Sequence, residues 1–279
     1  ILNTCGFIGD AKEESIQAIL EALEARDKGI VGKVFAFGCL TGRYYDELKA
    51  EIPELDGIFG ANAAGEILSA LNVRWTPQNA TGRWLTTPKH YAYLKISEGC
   101  DRSCAYCAIP GIRGKHVSES VETLVEETQR LAQQGVRELL VVAQDTTFYG
   151  LDNYHKRMVA PLLQRLSEVR GIEWIRLHYS YPAAFPDDLL DLMATNPKIC
   201  KYIDIPLQHS STKVLQLMRR SIDGKQTREL IEKFRTKVPG VALRTTMIVG
   251  HPGEGAREFA DLLDFVEQVR FERLGAFTY

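Results

Sequence analysis

No apolar run of about eighteen residues occurs in the 279-residue chain, so the sequence offers no membrane-spanning helix. Neither acidic nor basic residues are in marked excess. The 34 Lys and Arg against 36 Asp and Glu leave a formal net charge of -2, which gives no overall basic balance to suit nucleic acid. No low-complexity segment stands out. Cysteine is scarce, with six in the whole chain, too few for a disulfide scaffold. What remains is ordinary globular composition, 45% hydrophobic and 25% charged, enough for one large domain or two unequal ones. The chain opens on Ile1 inside an apolar run and closes on "RLGAFTY", a strand cut at its end. Both ends lead us to expect an internal piece of a longer protein, so the lack of a signal peptide carries little weight.

The scarce cysteines are clumped. Three of the six lie in "EGCDRSCAYCAIPG", residues 98–111, as Cys100, Cys104 and Cys107, a C-x3-C-x2-C pattern. Three thiolates on one short loop can bind zinc or an iron–sulfur cluster. Structural zinc normally takes four ligands, and no fourth Cys or His stands at zinc-motif spacing, although His116 can be argued. A 4Fe–4S cubane on three thiolates leaves one iron open to a small molecule. Ligand count therefore favours the cluster over zinc, with chance packing as the third reading. A reducing, cytoplasmic compartment suits thiols kept for metal.

The chain reads as two regions, 1–88 and 89–279, with a polar stretch holding two prolines, "RWTPQNATGRWLTTPKH" (74–90), at the boundary. In the first, "ILNT" (1–4) and "KVFAFG" (33–38) have strand character. Between them Ile16, Ile19, Leu20 and Leu23 recur at helical spacing, Asp10 and Glu13 suggest a capping box, and Gly29 suggests the stop. Strand, helix and strand in this order predict a parallel pair, with Cys5 and Cys39 just past the carboxyl ends and able to converge on one sheet edge. By themselves two thiols 34 positions apart are a weak metal signal and more often core residues.

From Tyr91 a strand-then-helix alternation repeats, with strands expected at 91–96, 137–143, 172–178, 201–206, 241–250 and 273–279. In the clearest helix Val121, Leu124, Val125, Thr128, Leu131 and Ala132 share a face, with Ser118 the expected cap and Gly135 the expected stop. Right-handed crossovers predict an α/β fold, a curled parallel sheet of six strands, short of the eight that close a barrel. Such a partial (βα)6 barrel builds its sites at the carboxyl ends of its strands. There stand the cysteine loop, Gln144 and Asp145, His178, Gln208 and His209, and "GHPGE".

The C-x3-C-x2-C spacing after the first barrel strand, with aromatic Tyr106 before the last cysteine, resembles the radical S-adenosylmethionine superfamily. "NTCGFIGDAKEESI", "GCLTGRYYDELKAEIPELDGIFG", "HYAYLKISEGCDRSCAYCAIPGIRG", "VVAQDTTFYGLD", "YIDIPLQHSS" and "IVGHPGE" narrow the resemblance to the methylthiotransferases. It covers nearly the whole chain and is nearest to the branch that modifies small-subunit ribosomal protein S-twelve. The resemblance implies two 4Fe–4S clusters. One sits on Cys100, Cys104 and Cys107, its open iron chelated by S-adenosylmethionine as the source of a 5′-deoxyadenosyl radical. The other sits on Cys5, Cys39 and a third cysteine upstream of Ile1, and handles the inserted sulfur. A C-terminal RNA-binding-type domain of the family is expected to lie outside the chain. The resemblance also implies a methylthio group placed on the β-carbon of an aspartate, a flavodoxin- or ferredoxin-type electron donor, and a sulfur donor.

For S-adenosylmethionine, strand-end position and family position together suggest the Tyr106 backbone, Gln144, Arg176, Gln208 and Val249. The milder readings are a paired structural arginine for Arg176, a strand-end cap for Gln208, and polar-network histidines for His178 and His209. Cys200, with no cysteine nearby, reads as a packed core thiol. Two neighbours depart from the family pattern: Glu119 stands where an arginine usually follows Ser118, and Gly255 follows Glu254 where a threonine is usual. The alternatives are a tRNA methylthiotransferase and a non-enzymatic electron carrier. Glu98 and Asp101 beside the first barrel cysteine disfavour the tRNA branch, which would gain from cations there.

Overall fold

The helix after the first strand shows how the sequence builds the smaller part of the chain. In the computed structural model, which describes residues 1–73 and 83–279, β1 (Leu2–Thr4) leads into α1 (Gly9–Asp27). Ser15, Ile19 and Leu23 form its buried face, while Leu20 is turned outward and exposed. The expected capping box does not form. The N-cap is Ile8, with no side-chain cap, and Asp10 sits inside the first turn, where its charge favours the positive helix end. The stop at Gly29 is as expected: its N–H reaches the Arg26 carbonyl at 2.8 Å and the Ile30 N–H the Ala25 carbonyl at 2.9 Å, with Gly29 at φ +73°.

β2 (Phe35–Gly38), α2 (Cys39–Arg43), α3 (Tyr45–Glu51), β3 (Gly57–Phe59) and α4 (Ala64–Ala70) follow. β1, β2 and β3 pair in that order and all parallel, Thr4 opposite Gly38 and Phe37 opposite Phe59. Ile19, Leu23, Val34, Ala36, Leu40, Leu48 and Ile52 form the core under this sheet.

The chain then runs through β4 (Tyr91–Lys95), β5 (Ser97–Glu98), α5 (Ile109–Arg113), β6 (Val117–Ser118), α6 (Val121–Gln133), β7 (Glu138–Val142), α7 (Val159–Ser167), β8 (Trp174–Leu177), α8 (Asp187–Thr195), β9 (Tyr202–Asp204), α9 (Thr212–Leu217), α10 (Gly224–Lys237), β10 (Ala242–Val249), α11 (Ala256–Val269) and β11 (Arg273–Thr278), all but α5 in the larger part. β4, β7 and β8 pair in parallel, as do β9, β10 and β11. An Ile175–Ile199 bridge and the Ser180 N–H on the Asp204 carbonyl at 2.8 Å join the two sets. Six parallel strands in chain order, without closure among the described residues, make the expected open α/β arrangement.

Alternation along each strand divides its side chains. Leu94, Leu139, Val141, Ile175, Leu177, Ile203 and Leu243 point to the helices and meet Leu124, Leu131, Leu162, Leu166, Leu189, Phe234 and Phe265 in one core. The other face is polar: Lys95, Glu138, Arg176, Asp204 and Arg244 share it by register. α6 buries Val121, Leu124, Thr128 and Leu131 as expected, and Gly135, at φ +99°, ends it as expected. Its cap is a correction. Ser120, not Ser118, accepts from the Thr123 N–H, at 3.1 Å. Ser118 Oγ donates to Asp152 instead, at 2.6 Å.

The chain separates into two compact units, Ile1–Arg83 with Ala108–Gly114 and Trp84–Cys107 with Lys115–Tyr279. The linear boundary at 88/89 did not foresee that Ala108–Gly114, directly after the cysteine loop, belongs with the first unit. Most of the expected linker, residues 74–82, lies outside the described residues. Among the described residues no helix is long and apolar enough to cross a membrane.

Candidate iron–sulfur site

The loop with Cys100, Cys104 and Cys107 leaves the carboxyl end of β4 through a two-residue ladder the sequence did not reveal. β5 and β6 pair antiparallel, Ser97 opposite Ser118 and Glu98 opposite Val117, and close the loop at its base. Asp101 Oδ1 accepts the His116 N–H at 3.0 Å and tightens the same closure. His116 is buried, its Nε2 3.1 Å from Ser118 Oγ. Burial lowers its pKa, although the nearby Asp152, Asp145 and Asp101 pull the other way. Nε2 of this ring is committed to the loop base, while Nδ1 is buried without a partner among the described residues.

Inside the loop the Cys107 N–H reaches the Cys104 carbonyl at 3.1 Å, and the Ala105 N–H is held by the Met218 carbonyl after α9 at 3.0 Å. The Arg102 N–H points to Cys100 Sγ at 3.5 Å. Burial pushes the Cys100 thiol up. The Arg102 N–H opposes this, and Asp145, Cys107 and Cys104 reinforce it. All three thiols are half-buried. Among the described residues no group of three or more His, Cys, Asp or Glu side chains converges on a single-ion position. A cubane spreads its thiolates over separate irons, so it needs no such convergence.

Two guanidiniums approach this loop. Arg102 gives Nε–H to Asp145 Oδ2 at 2.9 Å, and its Cζ lies 3.9 Å from the Tyr181 ring centroid. Arg220 Cζ lies 4.3 Å from the same centroid. Arg220 donates to Cys104 Sγ at 3.6 Å, to the Tyr106 hydroxyl at 3.2 Å and to the Pro206 carbonyl at 2.5 Å. Arg220 is buried, yet among the described residues no carboxylate lies within ion-pair distance of it. A buried cation without a counter-charge is costly by several kcal/mol. Neutral thiols leave Arg220 in that state, whereas thiolates gripping a cluster supply the missing negative charge. The residues present therefore fit a cluster held by Cys100, Cys104 and Cys107. Burial also pushes the Tyr106 phenol up, so this neighbour stays protonated and does not supply that charge. Sequence reading missed Arg220. The only trace was a pair of cations, Arg219 and Arg220, closing the otherwise apolar "VLQLM".

The residues suggested for S-adenosylmethionine fall in distinct settings. Gln144 Nε2 donates to Glu98 Oε1 at 2.8 Å, while its Oε1 is buried without a partner. Gln208 takes φ +74°, unusual outside glycine, and its buried Oε1 is also unpaired. Its main chain meanwhile ties into β10, the Gln208 N–H on Thr246 O at 2.9 Å and the Ile248 N–H on Gln208 O at 2.8 Å. Arg176 Nε pairs with Glu138 at 2.8 Å, and its Cζ lies 5.1 Å from the Tyr202 ring centroid. Val249 packs against the helix-side core, so an approach to a ligand on the polar face is left to its backbone. His178 Nδ1 faces Asp204 at 3.2 Å. His209 is fully buried, accepts the Ser211 N–H at Nδ1 and turns Nε2 to Glu254 at 3.6 Å. Glu254 closes the "GHPGE" turn by accepting the Gly250 and His251 N–H groups. Cys200 is half-buried at the foot of β9. A cavity of about 610 Å³ lined by Arg137, Arg165 and Arg170 lies at the amino end of β7, away from the cysteines.

In the first unit Cys5 follows β1 and is exposed. Its N–H and carbonyl are both held by Ser15 Oγ at 2.9 Å. Cys39 opens α2, directly after Gly38, and its Sγ accepts from Arg113 Nη2 at 3.3 Å. Thr4 and Gly38 are register partners, so Cys5 and Cys39 leave the same sheet edge.

Two family models match the chain. Residues 94–266 match the model of the radical SAM superfamily. Residues 1–60 match a family described as uncharacterized protein family UPF0004. The chain is 53% identical over all 279 residues to the ribosomal protein uS12 methylthiotransferase RimO of Cytophaga hutchinsonii and covers 64% of that protein. It is 54% identical over the same length to the protein of that name from Porphyromonas gingivalis, again covering 64%. The chain thus spans somewhat less than two thirds of these relatives. Among solved structures, the radical S-adenosylmethionine methyltransferase TsrM of Kitasatospora setae aligns with a TM-score of 0.70 at 15% identity, over 92% of this chain and 58% of that one. The cobalamin-dependent S-adenosylmethionine radical enzyme OxsB aligns at 0.68 with 14% identity, over 95% and 43%. At such identities these two structures speak for the fold. The family model takes in the cysteine loop, the end of β4 and the whole of β7, β8, β9 and β10, and the chain belongs to the radical SAM superfamily.

Proposed function

We propose that this chain is the catalytic part of a cytoplasmic methylthiotransferase that places a methylthio group on the β-carbon of an aspartate in ribosomal protein uS12, the small-subunit protein S-twelve. The observation that carries this is the identity of 53%, over all 279 residues, to a relative named as a ribosomal protein uS12 methylthiotransferase. When bound, a 4Fe–4S cluster with an open iron and S-adenosylmethionine supply radical chemistry at an unactivated carbon.

The chain's own residues position and shield. Cys100, Cys104 and Cys107 hold the barrel cluster on a loop fixed at Asp101, Ala105 and the β5–β6 ladder. The unpaired Oε1 atoms of Gln144 and Gln208 are acceptors ready for the amino group or ribose of S-adenosylmethionine. The Tyr106 and Val249 backbones face adenine, whereas Arg176 is committed to Glu138 at the foot of the sheet beside Cys200 and takes no part in the ligand site. Cys5 and Cys39, two ligands of a second 4Fe–4S cluster, hold the site that handles sulfur. A flavodoxin- or ferredoxin-type protein delivers the electrons, and a separate sulfur donor supplies the inserted atom.

Glu98 and Asp101 are both engaged within the protein: Glu98 by Lys95 and Gln144, Asp101 by His116. Choice between the ribosomal-protein and tRNA branches therefore leans on the relatives and less on these charges. The test is incubation of the anaerobically reconstituted, reduced protein with S-adenosylmethionine, a sulfide source and uS12. Mass spectrometry should find one methylthio increment on a single aspartate. An unmodified uS12 beside a modified tRNA would overturn the proposal.

A further inference from the structure

We propose that Arg220 is a positioning residue that sets the reduction potential of the barrel cluster, by donating a charged hydrogen bond to Cys104 Sγ. This rests on the reading that Cys100, Cys104 and Cys107 hold a 4Fe–4S cluster.

Arg220 is fixed by contacts that leave its guanidinium little freedom. One nitrogen serves the Cys104 sulfur at 3.6 Å and the Tyr106 hydroxyl at 3.2 Å, and another serves the Pro206 carbonyl at 2.5 Å. The Tyr181 ring lies against the plane, 4.3 Å from Cζ. Tyr181 is itself buried and its hydroxyl accepts the Ser221 N–H at 3.4 Å, so the platform is anchored one residue beyond Arg220. Several acceptors served at once by one rigid fork, with an aromatic face beside it, is a task for arginine and not for lysine.

The neighbouring Arg102 sharpens the contrast. It lies over the same ring and has a carboxylate partner in Asp145. Arg220, the more buried of the two, faces only a sulfur, a phenol and a carbonyl among its hydrogen-bond acceptors. A thiol is a weak acceptor and gives no charge in return. A ligating thiolate is a full anion, and a cubane on three thiolates is net negative and gains one further negative charge on reduction. A fixed buried cation therefore favours the reduced form more than the oxidised one. Hydrogen bonds to ligand sulfurs and local charge are among the factors that set cluster potentials. A purely architectural arginine would hold the loop and leave the potential alone.

The full chain carrying Cys5→Ala and Cys39→Ala, so that only the barrel thiols take iron, is reconstituted anaerobically with iron and sulfide. Its one-electron midpoint is measured by mediated titration with a low-potential chemical reductant, alongside Arg220→Gln and Arg220→Lys in the same background. In R220Q the equilibrium constant for reduction should fall at least tenfold, a drop of about 59 mV for a one-electron couple. R220K keeps the charge and loses the fork, and should fall by about threefold. A midpoint in R220Q equal to the parent's, with iron retained, overturns the proposal. If R220Q does not fold, an unchanged midpoint in R220K overturns it instead. A parent that binds no iron removes the cluster reading itself, a different failure from an unmoved potential.

Discussion

Arg102 gives its Nε–H to Asp145 Oδ2 across 2.9 Å and so joins the cysteine loop after β4 to the turn after β7. Asp145 is almost wholly buried and spends its other oxygen on the Thr147 N–H and hydroxyl, at 3.0 and 2.6 Å. Arg102→Ala would leave that carboxylate buried without its cation. The expected cost is about 3 kcal/mol, the usual range when one partner of a buried pair is removed. Urea unfolding followed by tryptophan fluorescence checks it. A loss under about 0.5 kcal/mol would place the pair with ordinary surface bridges.

Gly38, one residue before Cys39, admits no side chain. It sits at φ +121°, and a Cβ built on it would lie 2.4 Å from the Thr4 carbonyl oxygen and 2.9 Å from Asn3 Oδ1. The first of these is backbone of the paired strand and cannot swing away. Gly38→Ala should cost on the order of 3 kcal/mol, from backbone strain and overlap together. It should also displace Cys39. Hydrogen exchange should show faster opening at Phe35–Phe37 than in the parent. Unchanged protection there would mean that β1 and β2 tolerate the separation.

These two sites mark where the sequence was legible and where it was not. Periodicity exposed α6, because Leu124, Thr128 and Leu131 recur at the helical interval and Gly135 can adopt the left-handed stop. The cysteine loop was legible because three scarce residues share eight positions. Arg220 was not, since it meets Cys104 across 116 positions and nothing local distinguishes it from a solvated arginine. The cap of α6 was misplaced by two residues. Ser118 and Ser120 are chemically alike, and only the distant Asp152 decides which of them turns away from the helix. The β5–β6 ladder is too short for any two-residue period to register. The excursion of Ala108–Gly114 into the first unit is a matter of packing, to which a linear boundary is blind.

His209 gives the fold a dependence on acid. Burial lowers its pKa, with Glu254, Asp261 and Glu258 opposing. Nδ1 accepts the Ser211 N–H, so the neutral ring carries its proton on Nε2, toward Glu254. An unfolded histidine titrates near about 6.5, and the folded one below that. As pH falls through the unfolded value, the unfolded chain takes up a proton that the folded ring refuses. Stability then drops until the folded pKa is reached and is level beneath it. Above the unfolded value the ring is neutral in both states and contributes no slope. His209→Gln should flatten this part of the curve between about pH 7 and 5. Urea midpoints of the two proteins that keep the same slope would show that the acid sensitivity lies elsewhere.

Cys100 and Cys200 test the metal assignment against each other. Burial pushes both thiols up, so ionisation alone does not separate them. Their surroundings do. Cys100 has Cys104 and Cys107 for neighbours and stands at the carboxyl end of a barrel strand, whereas Cys200 sits at the foot of β9 near Arg176 and Glu138. A thiol that is merely packed can be shortened with a small loss of stability and no change in metal. A ligand cannot, because a cubane left with two thiolates is poorly held. After anaerobic reconstitution, Cys100→Ala should contain about four fewer irons per chain than the parent. Cys200→Ala should contain the same number as the parent, and a thermal melt should show both variants folded. Equal iron in the Cys100→Ala protein and the parent would remove that cysteine from the ligand set, and with it the reason for Arg220 to lie buried beside a sulfur.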